Sequence, residues 1–123
     1  MKIFLLDVKG KTAKAMDVAG GLDCWYRLIG CDTIDIVTRK VGGRVFDIIC
    51  DDCGLMSEHP IISAVNARYE TMLVGSLVFA HHDAEGNTTG LVDGDVEAIS
   101  GAVRHIRTLN DLSGHPCVVG MEY

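Results

Sequence analysis

Thr33-Ile34-Asp35-Ile36-Val37-Thr38-Arg39 and Arg44-Val45-Phe46-Asp47-Ile48-Ile49 flank Lys40-Val41-Gly42-Gly43, and this stretch decides the fold. Both flanks are rich in β-branched residues. Gly-Gly suits a two-residue type I′ turn, because both central positions of that turn need positive φ. The turn sets a register in which Arg39 faces Phe46, Val37 faces Ile48 and Asp35 faces Cys50 on one side of the hairpin. Ile36 faces Ile49, Thr38 faces Asp47 and Lys40 faces Val45 on the other. Each side mixes apolar and charged side chains, so neither is simply core nor simply solvent.

Working outward, residues 2–8 are rich in Ile, Phe, Leu and Val and read as a buried strand. Lys9-Gly10-Lys11 turns the chain into a second strand over 13–18. After Gly20-Gly21, Leu22, Trp25, Leu28 and Ile29 recur at helical spacing, with Gly30 as the stop and Trp25 on the core stripe. Asp51-Asp52-Cys53-Gly54 is a turn, and residues 55–71 are an irregular connection around Pro60 with one helical turn. Met72 to Ala80 is apolar on both parities, which predicts a central strand covered on two faces. A last helix is expected to begin near Asp93, with Val96, Ile99, Val103 and Ile106 as its apolar stripe. Glu97, Arg104 and Arg107 then lie on its wet face, the arginines favourably close to the helix C-terminus. Residues 110–123 have no strong period. The reading is one α+β domain over 1–109 with a C-terminal tail over 110–123. Its sheet is mostly antiparallel, with about five strands and two helices against it.

Composition removes several functions. The chain has 123 residues and is 48% hydrophobic, enough for one core and too apolar for a disordered protein. Its longest uncharged apolar stretch, Met72 to Ala80, is far short of the roughly 20 residues of a spanning helix. Asp7 interrupts the N-terminal apolar run too early for a signal peptide, so the cytoplasm is the expected compartment. Eleven Lys and Arg against 17 Asp and Glu give a net charge of −6, unsuited to general nucleic-acid binding. The five cysteines are odd in number and are expected to be reduced thiols. Cys50-Asp51-Asp52-Cys53 has no second ligand pair at zinc spacing, so neither metal nor other cofactor is expected.

No phosphate loop, nucleophile elbow, dinucleotide fingerprint or zinc-protease helix is present. His81-His82-Asp83 is the most chemical-looking cluster, yet adjacent residues at a strand end point to opposite sides. No Ser, Cys or Glu is placed beside either imidazole, so no catalytic set is assigned. The candidate ligand-binding residues are Tyr26, Arg27, Arg39, Arg44, His81 and His82. Arginine forks match phosphate oxygens, and a tyrosine or histidine ring can stack on a base. A strand apolar on both faces, in so short a chain, also leads to the expectation of a homo-oligomer.

Tyr26 to Lys40, with Phe46-Asp47-Ile48-Ile49-Cys50-Asp51-Asp52, resembles the domain-of-unknown-function family 3846. Leu73 to Ala80, Asp83, Glu85-Gly86-Asn87 and Leu91 extend the resemblance, which runs over residues 1–109. Cys53 departs from the acidic residue expected in its turn. Val92 stands where a Ser or Thr cap is usual, which moves the expected cap to Asp93. The resemblance implies a small accessory protein of phages or mobile elements and brings no catalytic residues with it. The expected function is therefore non-enzymatic: anti-defence by binding and sequestering a small nucleotide-type signal. The alternative is a protein-binding inhibitor of a host defence or regulatory protein.

Overall fold

The computed structural model describes residues 1–56 and 58–123. The chain runs β1 (Lys2–Asp7), β2 (Thr12–Asp17), α1 (Leu22–Ile29), β3 (Ile34–Val41) and β4 (Arg44–Asp51). It continues through a 3₁₀ turn (Gly54–Met56), β5 (Ile62–Val65), β6 (Thr71–Val74), β7 (Leu77–His82) and β8 (Thr88–Thr89). It ends with α2 (Asp95–Ala102), β9 (Val103–Thr108) and β10 (Asp111–Val119). The first sheet has the order β2-β1-β7-β4-β3, with β8 paired to the end of β7, and all its pairs are antiparallel. A second sheet has the order β6-β5-β10-β9, with β5 and β10 parallel. The class is α+β, with a mostly antiparallel first sheet and two helices.

The β3–β4 hairpin forms in the register that its turn dictates, Arg39 on Phe46 and Thr38 on Asp47, with Gly42 and Gly43 at φ 59° and 83°. Helix α1 stops at Gly30, whose left-handed backbone lets its N–H donate to the Tyr26 carbonyl. Trp25 is buried against the first sheet.

Several expectations change. The apolar run over 72–80 is two strands in different sheets, divided at Gly75, whose φ of 77° turns the chain. The last helix ends at Ala102, and Val103 to Thr108 cross instead as β9, so Val103 and Ile106 belong to a strand. Its start also differs: the N-cap is Gly94 in a left-handed conformation, and Asp93 makes no side-chain cap. Residues 111–119 form β10, with Gly114 to Val118 all buried. In the connection read as irregular, Ile62–Val65 is β5 and pairs with β10, while residue 57 lies outside the described residues.

β7 is buried on both faces from Leu77 to Ala80, as its apolar parity requires. On one face Ile3, Leu5, Ile49, Val78 and Ala80 pack against Cys24, Trp25 and Ile29 of α1. On the other, Phe4, Leu6, Phe46, Ile48 and Phe79 meet Ala64 and Val118 of the second sheet, and Ile99 of α2. Helix α2 touches β2 and β3, the two edges of the first sheet, and also β10. The cover that a second copy was expected to supply thus comes from within the chain, and the packing of β7 gives no reason for a homo-oligomer.

The edge strand β3 has four of its outward backbone groups occupied. Asp35 accepts the Ile36 N–H at 2.9 Å, Arg39 donates to the Thr38 carbonyl at 2.8 Å, and Lys40 exchanges both bonds with Glu122. Such capping blunts the template that an open edge offers to another strand. No helix among the described residues is long and apolar enough to cross a membrane.

Candidate functional site: a buried carboxylate holding Arg44 and His81

Arg44 leads β4 out of the hairpin turn and His81 lies near the end of β7, on two neighbouring strands of the first sheet. Both reach Asp95, in the first turn of α2. Arg44 Nη1 donates to Asp95 Oδ1 at 3.0 Å, and His81 Nε2 donates to Oδ2 at 2.7 Å. The Val92 N–H donates to the same Oδ2 at 2.7 Å, and Arg44 Nη1 also reaches the Asp93 carbonyl at 2.8 Å. Asp95 is 1% exposed, and the His81 ring stacks on Phe46 with centroids 5.4 Å apart. Burial pushes the Asp95 carboxyl up, but the Val92 N–H, His81 and Arg44 outweigh it and hold the group below the usual carboxylate range.

Gly94 completes the arrangement. A Cβ there would stand 2.4 Å from Arg44 Nη2, and the residue's φ of 87° already favours glycine. The guanidinium therefore lies directly over the entry to α2. One nitrogen of Arg44 is committed, while Nε and Nη2, with His81 Nδ1, have no hydrogen-bond partner among the described residues. Arg44 balances the Asp95 charge, and its free Nε and Nη2 donors can receive an oxyanion.

The other candidate residues lie apart from this cluster. His82 points to the α1 side of the sheet, where its Nδ1 donates to Asp47 Oδ2 at 2.6 Å. The other Asp47 oxygen accepts the Thr38 hydroxyl at 3.3 Å. The opposite orientation of the two imidazoles is the one expected of adjacent strand residues. Arg39 places its guanidinium 4.6 Å from the Tyr123 ring centre. Tyr26 and Arg27 are on α1, across the first sheet from α2 and therefore from Arg44 and His81. Among the described residues the two histidines bond only to their carboxylates, with no hydroxyl or thiol in line as a nucleophile.

Asp95 and Asp47 are the residues that sequence reading passed over. Asp47 carried a usable signal: a lone carboxylate between Phe46 and Ile48 in a buried strand needs a hydrogen-bonding partner. Asp95 carried a weaker one, since a helix starting after Gly94 puts its carboxylate within reach of the Val92 N–H.

The cysteines form no disulfide, and no cluster of three metal-ligating side chains occurs among the described residues. Burial pushes the Cys50 thiol up to about 11 and the Cys117 thiol up to about 12, whereas Cys53 is exposed. The thiolate is the reacting form, so an alkylating reagent is expected to label Cys53 in the folded protein long before Cys50 or Cys117. Mass-mapped labelling checks this, and equal rates at Cys53 and Cys117 would contradict the described burial.

No curated protein and no solved structure matches the chain significantly. A family described as a domain of unknown function, DUF3846, matches residues 1–104, and so includes Arg44, His81 and Asp95. The chain belongs to the DUF3846 family.

Proposed function

We propose that this protein is a small non-enzymatic binder that sequesters a nucleotide-type signal. An anti-defence role for a phage or mobile element is part of the same proposal. The observation that supports it is the convergence of Arg44 and His81 on the buried Asp95 carboxylate. Both side chains are held in place before any ligand arrives, so binding an anion costs little further ordering. The unpaired Arg44 nitrogens, Nε and Nη2, are donors suited to phosphate oxygens. The test is calorimetric titration of the purified chain with a panel of nucleotides, followed by heating and recovery of the ligand. Unaltered ligand at one per site is expected. Arg44→Ala and His81→Ala are each expected to weaken binding about tenfold, or 1.4 kcal/mol. Turnover of the ligand, or affinity unmoved by both changes, would contradict the reading.

A protein-binding inhibitor is the second reading. What favours it is the hairpin-tip half of the α1-side sheet face, where Ile36 and Val45 are 48% and 56% exposed beside Lys40 and His82. On this reading Val45→Asp abolishes a stable protein complex and leaves nucleotide affinity unchanged.

A further inference from the structure

We infer that the free edge of β6 seats an extended peptide of a partner protein, one that alternates an aliphatic side chain with a Lys or Arg. This goes beyond the nucleotide reading, since neither Arg44 nor His81 lines the surface concerned. β6 is an end strand of the second sheet and pairs on one side only, with β5. Among the described residues no backbone hydrogen bond reaches Thr71–Val74 from the other side. On β3, by contrast, four outward groups are occupied. An unpaired row of N–H and C=O groups is a template for an added strand. A Cβ on Gly54 would stand 3.5 Å from the Val74 carbonyl oxygen, so the turn after β4 closes one end of this edge and leaves Thr71 to Leu73 for pairing.

What singles out β6 among the end strands is a pair of hollows that share Met72. One, of about 510 Å³, lies where β6 meets the start of β3 and the end of β4, and Asp35, Asp51 and Asp52 bring it three carboxylates. None of the three is paired with a cation among the described residues. Their combined field is felt by Cys50, which lines the same hollow. Burial first, then Asp35, with Asp51 and Asp52 adding, pushes its thiol up to about 11 against the opposing charge of Arg39. The other hollow, of about 720 Å³ and open to solvent, has Ala67, Met72 and Tyr123 in its lining.

These two linings set the chemistry of the occupant. Side chains two apart on an added strand share one face and lie about 7 Å apart, so the hollows on either side of Met72 take alternate side chains. Unpaired carboxylates call for the N–H donors of a Lys or Arg, and the second hollow for an aliphatic group. A second copy of this chain fits poorly. Its own Thr71-Met72-Leu73-Val74 carries no cation for the carboxylates, and two chains of net charge −6 repel each other.

The experiment pans a displayed library of random peptides against the full chain, then measures the enriched peptide, made synthetically, by calorimetry. Enrichment of sequences that alternate an aliphatic residue with Lys or Arg is expected. Asp35 and Asp52 are exposed, and Asp35→Lys and Asp52→Lys, each checked for native circular dichroism, should together weaken the peptide about tenfold. N-methylation along the peptide reads the pairing on the unaltered protein. Loss of binding at alternate residues is expected, because only every second N–H of an added strand faces β6. No enriched peptide, affinity unmoved by the two lysines, or N-methyl losses without alternation would each overturn the inference. A concentration-dependent dimer of the chain that the peptide breaks apart would assign the edge to a second copy and also overturn it.

Discussion

Asp95→Ala is expected to destabilise the protein by about 3 kcal/mol, a large part of the stability of a domain this size. The substitution strips the buried partner from Arg44, His81 and the Val92 N–H at once. Arg44 and His81 are partly exposed and can rehydrate, which keeps the loss near the lower end for a broken buried pair. The Val92 N–H loses its acceptor, and the entry to α2 loses its anchor. Asp95→Asn keeps an acceptor oxygen and should cost less. Urea unfolding at pH 7 measures both. The pH dependence follows from the lowered carboxyl: the stabilisation is complete above the ordinary carboxylate range and is lost as pH falls through it toward the depressed folded value. Asp95→Asn should flatten that acid limb. A loss below 1 kcal/mol for Asp95→Ala would mean that the cluster is not the anchor described.

Phe79→Ala is expected to cost about 4 kcal/mol. Phe79 is fully buried at the centre of the first sheet and meets Phe4 and Phe46 edge to face, with centroids 6.1 Å away in both cases. Removing the ring opens a cavity between the two sheets and forfeits both aromatic contacts. It also withdraws packing from Phe46, on which the His81 ring rests, so any ligand affinity at Arg44 and His81 should fall with stability. Phe79→Leu refills most of the volume and should cost less than half as much. Calorimetric unfolding of the two variants decides the point, and equal losses would contradict the packing.

What could be read from the sequence follows how local its cause is. The β3–β4 register needs only Gly42-Gly43 and two β-branched flanks, and the end of α1 needs only Gly30. Both causes lie within a few residues of their effects. The division of Met72–Ala80 also had a local sign, because glycine inside an apolar run often marks a bend, but apolarity on both parities masked it. The overlong last helix shows two periods competing. Val103 and Ile106 continue the helical stripe of Val96 and Ile99, while β-branched Val103, Ile106 and Thr108 also suit a strand. Tertiary pairing with β10 decided for the strand. β10 itself shows no alternation because Gly114 to Val118 are buried on both parities.

The candidate site was legible only in part. Arginine and histidine chemistry pointed to Arg44 and His81, but not to their meeting. Their common partner is 51 residues from Arg44 and 14 from His81, and only the closure of α2 over the sheet brings the three together. The same folding separates Tyr26 and Arg27 from them by placing α1 on the opposite face, a division that no local pattern announces.

The most direct measurement is side-chain nitrogen NMR of the ¹⁵N-labelled chain, following His81 and Arg44 as ATP or cyclic di-AMP is added. Saturable shifts of His81 Nδ1 and of the Arg44 Nε and Nη2 signals are predicted for at least one ligand, with the signals of His82, across the sheet, unmoved. Nucleotide-induced shifts confined to His82, Tyr26 and Arg27, or no saturable shift with either ligand, would contradict the account.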